Sequence, residues 1–333
     1  LDSYLVYFVA RLVIAFFRLL PRSLGVPILR ALATVAYFLD IHHRHIAMVN
    51  LRIAFPDISD KERNRIARRS FQNTAMNLLE ISRLSTLTPS NISSLADYDP
   101  QLGLANYKAA QAKGKGILYL TGHFSSWELL PTAHALHGYS LSFITRPLDN
   151  VPLERYMQKV RESKGNRVIN KKNSARQILK ELKSGGSAGI LMDQNTSLQE
   201  GVFVDFFGIP AATTTSVALF ALRTEAPVVA GYLTPMRSGR YTIKFLPPID
   251  VIRTGDMTHD VEINTKLFNE VLEKIIREQP ESWLWGHKRW KYQPRGNPPD
   301  LYALSHEELG KFLVASRQSA VASEKQSTAA DGK

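Results

Sequence analysis

From Gly114 onward, short apolar runs alternate with helix-length segments, and no other feature of this chain restricts its fold as strongly. Strands are predicted at Gly116–Leu120, Leu141–Thr145, Ala188–Met192, Val228–Leu233 and Tyr241–Phe245. Helices are predicted between and after them, at Trp127–Leu136, Leu153–Ser163, Ser174–Lys183, Thr214–Arg223 and His259–Glu278. Strands and helices in this order form a mostly parallel, mixed sheet with helices packed on its faces, so the expected class is α/β. The segment "RSGRY" after Thr234 marks a hairpin and hence one antiparallel pair near an edge. At 333 residues and 44% hydrophobic, the chain has enough apolar material to bury such a sheet.

The region before the alternation is of another kind. "YLVYFVARLVIAFFRLL" (Tyr4–Leu20) is apolar nearly all round, broken by Arg11 and Arg18, which share one helix face. Residues 1–52 hold six arginines, two aspartates, no lysine and no glutamate. As a helix the run is roughly 25 Å long against a hydrocarbon layer of about 30 Å. The expected state is a helix in or dipping into the membrane interface, its arginines reaching lipid phosphates. A tilted span and a helix buried in the protein's own core are the alternatives. No small-residue cleavage site follows, so the run is not read as a signal peptide. "LGVPILRALATVAYFLD" supplies a second helix and with it an anchoring hairpin over residues 1–48. Residues 49–112 read as a helical connection, opened by a Ser59-x-x-Glu62 capping box. The α/β part covers 113–314, and 315–333 is a small, polar, aperiodic tail expected to be disordered.

The chemistry concentrates in "YLTGHFSSWELL", residues 119–130. A buried strand breaks at Thr121-Gly122, then His123 and Glu128 follow. On one helix they would stand roughly 140° apart. With His123 on the loop and Glu128 in the first helical turn they can converge, at the strand edge where open α/β sheets bind ligands. A neutral imidazole there can take a proton from an alcohol, with the carboxylate orienting the ring and stabilising its charged form. Equally, Ser125-x-x-Glu128 is a capping box, and Glu128 could simply close the helix. Ser125 or Ser126 as a nucleophile lacks the G-x-S-x-G spacing. The chain has no cysteine, which excludes thiolate chemistry, and no H-E-x-x-H pattern, so neither metal nor cofactor is expected. "HHRH" (His42–His45) has metal-binding residue types but sits beside the hydrophobic helices, at an expected membrane boundary.

"TGHFSSWE" resembles the H-x-x-x-x-[DE] signature of glycerolipid and lipid A acyltransferases. The resemblance to the lipid A late acyltransferases extends through "NLRIAFPDISDKER", "ITRPLDN", "RESKGNRVI", "ILMDQNTSLQEGVFVDFFGIPAATTTS" and "PESWLWGHKRWK", six blocks in order across residues 50–291. It implies His123 as general base, Glu128 orienting it, and direct attack of an alcohol on a thioester. It also implies site positions at Arg146, Arg161 and Asp193, and a late basic segment with His287 and Arg289 for lipid phosphates. The closing Gly-His-Lys-Arg-Trp departs from the frequent Arg-Arg-Phe and leaves acceptor and chain length open.

The resemblance thus points to a membrane-associated acyltransferase moving a fatty acyl chain from acyl carrier protein to a hydroxyl of a lipid A precursor. Its place would be the cytoplasmic face of the bacterial inner membrane. Acyl-CoA as donor with another glycolipid acceptor is the alternative, and a serine hydrolase a distant one. A formal charge of +12 suits the three acidic partners this requires: anionic membrane, phosphorylated glycolipid and acidic carrier. Nucleic acid is not expected, because the N-terminal arginines lie among long apolar runs and not between exposed stacking aromatics.

Overall fold

The computed structural model describes residues 3–170, 174–294 and 299–330. The chain begins with α1 (Ser3–Leu19), α2 (Arg22–Leu39), α3 (Ile41–Ala54) and α4 (Asp60–Arg83). The short α5 (Ile92–Leu95) leads into β1 (Ala96–Tyr98) and α6 (Leu104–Gln111). The alternating part is β2 (Ile117–Thr121), α7 (Leu129–Leu136), β3 (Ser142–Thr145), α8 (Val151–Glu162), β4 (Arg167–Asn170), α9 (Ser174–Lys183) and β5 (Ser187–Leu191). A hairpin of β6 (Gly201–Phe206) and β7 (Ile209–Thr214) precedes α10 (Ser216–Thr224), β8 (Val228–Pro235), β9 (Tyr241–Phe245), α11 (Met257–Glu278) and α12 (His306–Ala330).

Seven strands form one sheet in the order β1-β9-β8-β2-β5-β3-β4, parallel at every step except β8–β9. The antiparallel pair is the one that "RSGRY" predicts. Alternate residues of a strand face opposite sides, and β2 divides accordingly. Leu118 and Leu120 enter a core shared with α3, α9, α10 and α11, while Ile117 and Tyr119 face α6, α7 and α8. The chain leaves β2 through α7 on one face and leaves β5 through α10 on the other. The carboxyl ends of β2 and β5 therefore flank a topological switch point, the place where open α/β sheets leave a crevice.

Several elements escape sequence reading. β1 and β4 have only three and four residues. The β6–β7 hairpin turns on Phe207 and Gly208, both at positive φ (54° and 72°), as a tight two-residue turn requires. Helix α12 continues to Ala330 through the segment expected to be disordered, in keeping with its many Ala, Glu, Gln and Lys residues. Ser59 caps α4 by accepting the Glu62 amide at 3.2 Å, but Glu62 pairs with Arg65 and does not complete the box.

The N-terminal helices rest on α4: Phe17, Leu29, Met76 and Leu79 form their common apolar contact. Arg11 lies over the Tyr156 ring of α8 at 4.2 Å, directed at the protein and not at lipid as expected. Away from α4 the two helices leave large apolar side chains exposed, among them Phe8, Leu12, Phe16, Leu32, Val35 and Phe38. Among the described residues, α2 is the helix long and apolar enough to cross a membrane, and 22% of it is buried.

Candidate active site

Thr121 of β2 is the register partner of Leu191 of β5. Two residues beyond each, on the same sheet edge, stand His123 and Asp193. The His123 ring Nδ1 lies 2.9 Å from Asp193 Oδ1, and the His123 backbone N–H donates to Oδ2 at 2.8 Å. Trp283 Nε1 donates to the same Oδ2 at 2.7 Å, and Asp193 is 1% exposed. Burial by itself would raise the Asp193 pKa. The His123 ring, its amide and the Trp283 indole outweigh burial and hold the carboxyl at about 2. The imidazole shows the reciprocal effect: burial disfavours its charge, but Asp193, with a smaller contribution from Glu128, raises its pKa overall. An ionised Asp193 keeps a proton on Nδ1, so Nε2 presents its lone pair to the cavity. Gln194 Nε2 is 3.4 Å from it, and the Trp127 ring meets the imidazole edge-on at 5.1 Å.

The motif glycine follows from this packing. A Cβ on Gly122 would lie 2.9 Å from Asp193 Cγ and 2.8 Å from the Phe124 ring, so any side chain there displaces the carboxylate. Ser125 adopts φ +50°, a left-handed conformation that costs a non-glycine residue roughly 1–3 kcal/mol. It is held there from two sides: its N–H donates to the Ser282 carbonyl at 2.6 Å, and its carbonyl accepts from Asn77 at 2.8 Å. The capping box expected at Ser125 and Glu128 therefore does not form, and α7 starts at Leu129. Both serines are buried, and Ser126 Oγ donates to the Tyr241 hydroxyl. Neither lines the cavity in front of His123, which removes the geometry a serine nucleophile needs.

Helix α4 supplies a support that the sequence reading missed. Ser70, Asn73, Asn77 and Glu80 lie at helical spacing along one face. They bond in turn to the carbonyls of Trp283, Glu281 and Ser125, and to the Tyr241 hydroxyl that receives Ser126. Arg22 of α2 closes the chain on Glu80 at 2.8 Å. A polar stripe inside an otherwise well-packed helix is its only sequence signal.

A cavity of about 450 Å³ opens in front of His123, between the sheet and α7. His123, Glu128, Arg146 and Arg161 all line it, while Asp193 stands behind His123. Glu128 does not touch the imidazole. Its two oxygens receive Arg161 Nε and Nη2 at 3.0 and 2.7 Å, a bidentate pair with both side chains largely buried. Arg161 Nη1 is buried with no hydrogen-bond partner among the described residues. Arg146 is exposed at the rim, with a loose 3.8 Å contact to Asp149. His287 sits deeper. Its Nε2 accepts the Asn195 amide at 3.1 Å, and burial, partly offset by Asp193, pushes its pKa down to about 4. Arg289 is displaced from the expected role. It is fully buried, binds Ala212 O and Thr213 Oγ1 of β7, and pins the β6–β7 hairpin away from the cavity. In the "HHRH" stretch, His45 bonds the Tyr302 carbonyl and His43 caps with Asp40. Among the described residues no group of three metal-ligating side chains converges.

Fold and site define an α/β protein that sets a histidine, polarised by a buried aspartate, over a cavity of mixed polar and apolar lining at the edge of a mostly parallel sheet. Residues 1–292 match the family described as bacterial lipid A biosynthesis acyltransferase; the chain belongs to that family and is an acyltransferase. It is 28% identical over 251 residues to the lipid A biosynthesis lauroyltransferase of Escherichia coli (strain K12), covering 75% of this chain and 79% of that one. It is also 24% identical over 294 residues to the lipid A biosynthesis myristoyltransferase of the same organism, covering 86% and 88%. A lipid A biosynthesis acyltransferase of Haemophilus influenzae is 26% identical over 260 residues, 77% of this chain and 80% of that one.

Proposed function

We propose that the protein transfers a fatty acyl chain from an acyl carrier protein thioester to a hydroxyl of a lipid A precursor, at the cytoplasmic face of the inner membrane. The observation that carries this reading is the Asp193–His123 pair, with Nε2 on the side of the cavity and a long 3.4 Å contact to Gln194. His123 Nε2 takes the proton of the acceptor hydroxyl as its oxygen attacks the thioester carbon. Asp193 holds the ring and offsets the charge it acquires. The tetrahedral intermediate collapses by expelling the thiolate, which recovers the proton from His123. The ester remains on the acceptor.

Glu128 enters this mechanism differently from the sequence expectation. It fixes Arg161 so that the unpartnered Nη1 can donate to an anionic oxygen of substrate, and its charge adds to the field on His123. Arg146, at the rim, suits a phosphate of the acceptor or carrier. The apolar stripes of α1 and α2 are suited to a lipid surface. The excess of basic residues favours the anionic membrane, glycolipid and carrier together.

His123→Ala is expected to lower transfer by at least about 10²–10⁴-fold, with an unchanged circular-dichroism spectrum and unchanged membrane binding. The assay is mass spectrometry of lipid A formed from purified precursor and acyl carrier protein thioester. A folded variant that keeps most of its activity removes His123 from the role of base. A parent enzyme that acylates other glycolipids from acyl-CoA, but not this precursor, replaces the acceptor and donor named above.

A further inference from the structure

The cavity extends from the polar mouth back beneath α7. On β2, Thr121 and Tyr119 share its face, and their register partners on β5 are Leu191 and Gly189. From His123 to Tyr119 is about 13 Å of extended chain. The mouth carries His123, Glu128, Arg161 and Gln194, whereas the far end is aromatic and aliphatic. A molecule with a polar reacting end and a hydrocarbon tail matches that gradient.

The far end is closed in an unusual way. His134 of α7 has both ring nitrogens engaged: Nε2 lies 2.8 Å from the Tyr119 hydroxyl and Nδ1 lies 2.8 Å from the Tyr98 hydroxyl. A neutral imidazole has one donor and one acceptor, so one tyrosine accepts and the other donates, and no ring nitrogen is left for a ligand. Burial, with a further push from His137, keeps the ring neutral by lowering its pKa to about 3. The Phe245 ring packs 5.0 Å from His134 and 5.6 Å from Tyr119, completing an aromatic wall. Gly231 makes room for the Phe245 ring, and Gly189 for the neighbouring Leu141 side chain. A Cβ on Gly231 would stand 2.6 Å from the Phe245 ring, and a Cβ on Gly189 would stand 3.2 Å from the Leu141 side chain. The hydrogen bonds fix the rings in orientation, so this wall cannot yield to a longer tail as a loose aliphatic one can.

We propose that the Tyr98–His134–Tyr119 wall, with Phe245 laid across Gly231, is the stop against which the methyl end of the transferred acyl chain rests, and that it sets the longest chain accepted. The inference rests on the acyltransferase reading of the cavity. Discrimination of about tenfold or more per methylene is what a close-fitting apolar pocket delivers.

The test uses the full-length enzyme and an equimolar mixture of saturated acyl carrier protein thioesters of graded length, with products resolved by mass spectrometry. Phe245→Ala deepens the end and is expected to raise the share of chains one or more two-carbon steps longer at least about tenfold. Gly189→Val fills the end from the sheet side and is expected to move the distribution to shorter chains. The two variants move the readout in opposite directions, so a folding failure in one leaves the other decisive. Active variants with the parent's chain-length distribution overturn the stop. A parent enzyme that transfers no acyl group to any glycolipid instead overturns the acyl-transfer reading, and the stop with it.

Discussion

At the scale of residues, the decisive pairing is His123 with Asp193 rather than with Glu128. Both carboxylates come within electrostatic reach of the imidazole, but only Asp193 bonds its ring. This has a consequence for pH. Asp193 raises the His123 pKa above the ordinary imidazole value of about 6.5. A base works when deprotonated, so kcat/KM should climb with pH through a limb above that value. Asp193→Asn removes the raising charge and leaves burial, which lowers the pKa. The limb should therefore shift to lower pH while the maximal rate falls at least about a hundredfold, because the ring's tautomer and developing charge lose their support. A pH–rate profile checks both; a limb that stays in place or moves up contradicts the pairing. Glu128, five residues from His123, is the nearer carboxylate in sequence, and a strand-to-helix loop invites that pairing. The loop instead bends through Ser125 in the left-handed region and sends Glu128 to Arg161.

At the scale of elements, α4 acts as a bracket beneath the site. Its polar stripe holds the catalytic loop and the closing tryptophan block, which meet as an antiparallel bridge between Phe124 and Trp283. Asn77 is the pivotal member, since its amide nitrogen binds Ser125 O and its oxygen accepts the Glu128 N–H at 3.4 Å. Asn77→Ala leaves that buried carbonyl unpaired, at about 1–3 kcal/mol. The midpoint of thermal unfolding should fall by roughly 2–6 °C, and kcat should fall with it because Ser125 is two residues from His123. Calorimetry together with steady-state kinetics at a temperature where the variant is folded separates the two effects. The helical spacing of residues 70, 73, 77 and 80 was visible in the sequence; their partners, some 50 to 210 residues away, were not.

At the scale of the whole molecule, the two N-terminal helices pack on α4 and leave an apolar surface exposed on their other faces. Leu12 is 70% exposed and Phe16 53%, and they share a stripe with Phe8. If that stripe enters a lipid interface, replacing Leu12 and Phe16 together by glutamate removes two side chains worth about 1.5–3 kcal/mol each. Sedimentation with anionic vesicles should then show binding weakened roughly a hundredfold or more, with the fold intact. Vesicle binding equal to the parent's would assign the membrane contact elsewhere. Arg22 ties this side to the interior through Glu80 and Tyr241, so the helices and the catalytic loop belong to one hydrogen-bonded framework.

The sequence by itself determined the architecture and the location of the chemistry. Strand and helix periods are local properties, readable from windows of ten residues or so, and Tyr241–Phe245 and Ser174–Lys183 fall on their predicted bounds. His123 was legible because an ionisable residue breaks an apolar strand at the edge where α/β sheets bind ligands. Only the tertiary structure decided the partners. Asp193 is 70 residues from His123 and reaches it because β2 and β5 lie in parallel register. Arg289 carries the positive charge that a phosphate would call for, but the fold draws it inside to pin a hairpin. His134, Tyr119 and Tyr98 lie on three separate elements, and only the tertiary structure brings their polar atoms together. Hydrogen bonds and ion pairs depend on distances of a few ångströms between segments far apart in the chain, and no local pattern encodes those distances.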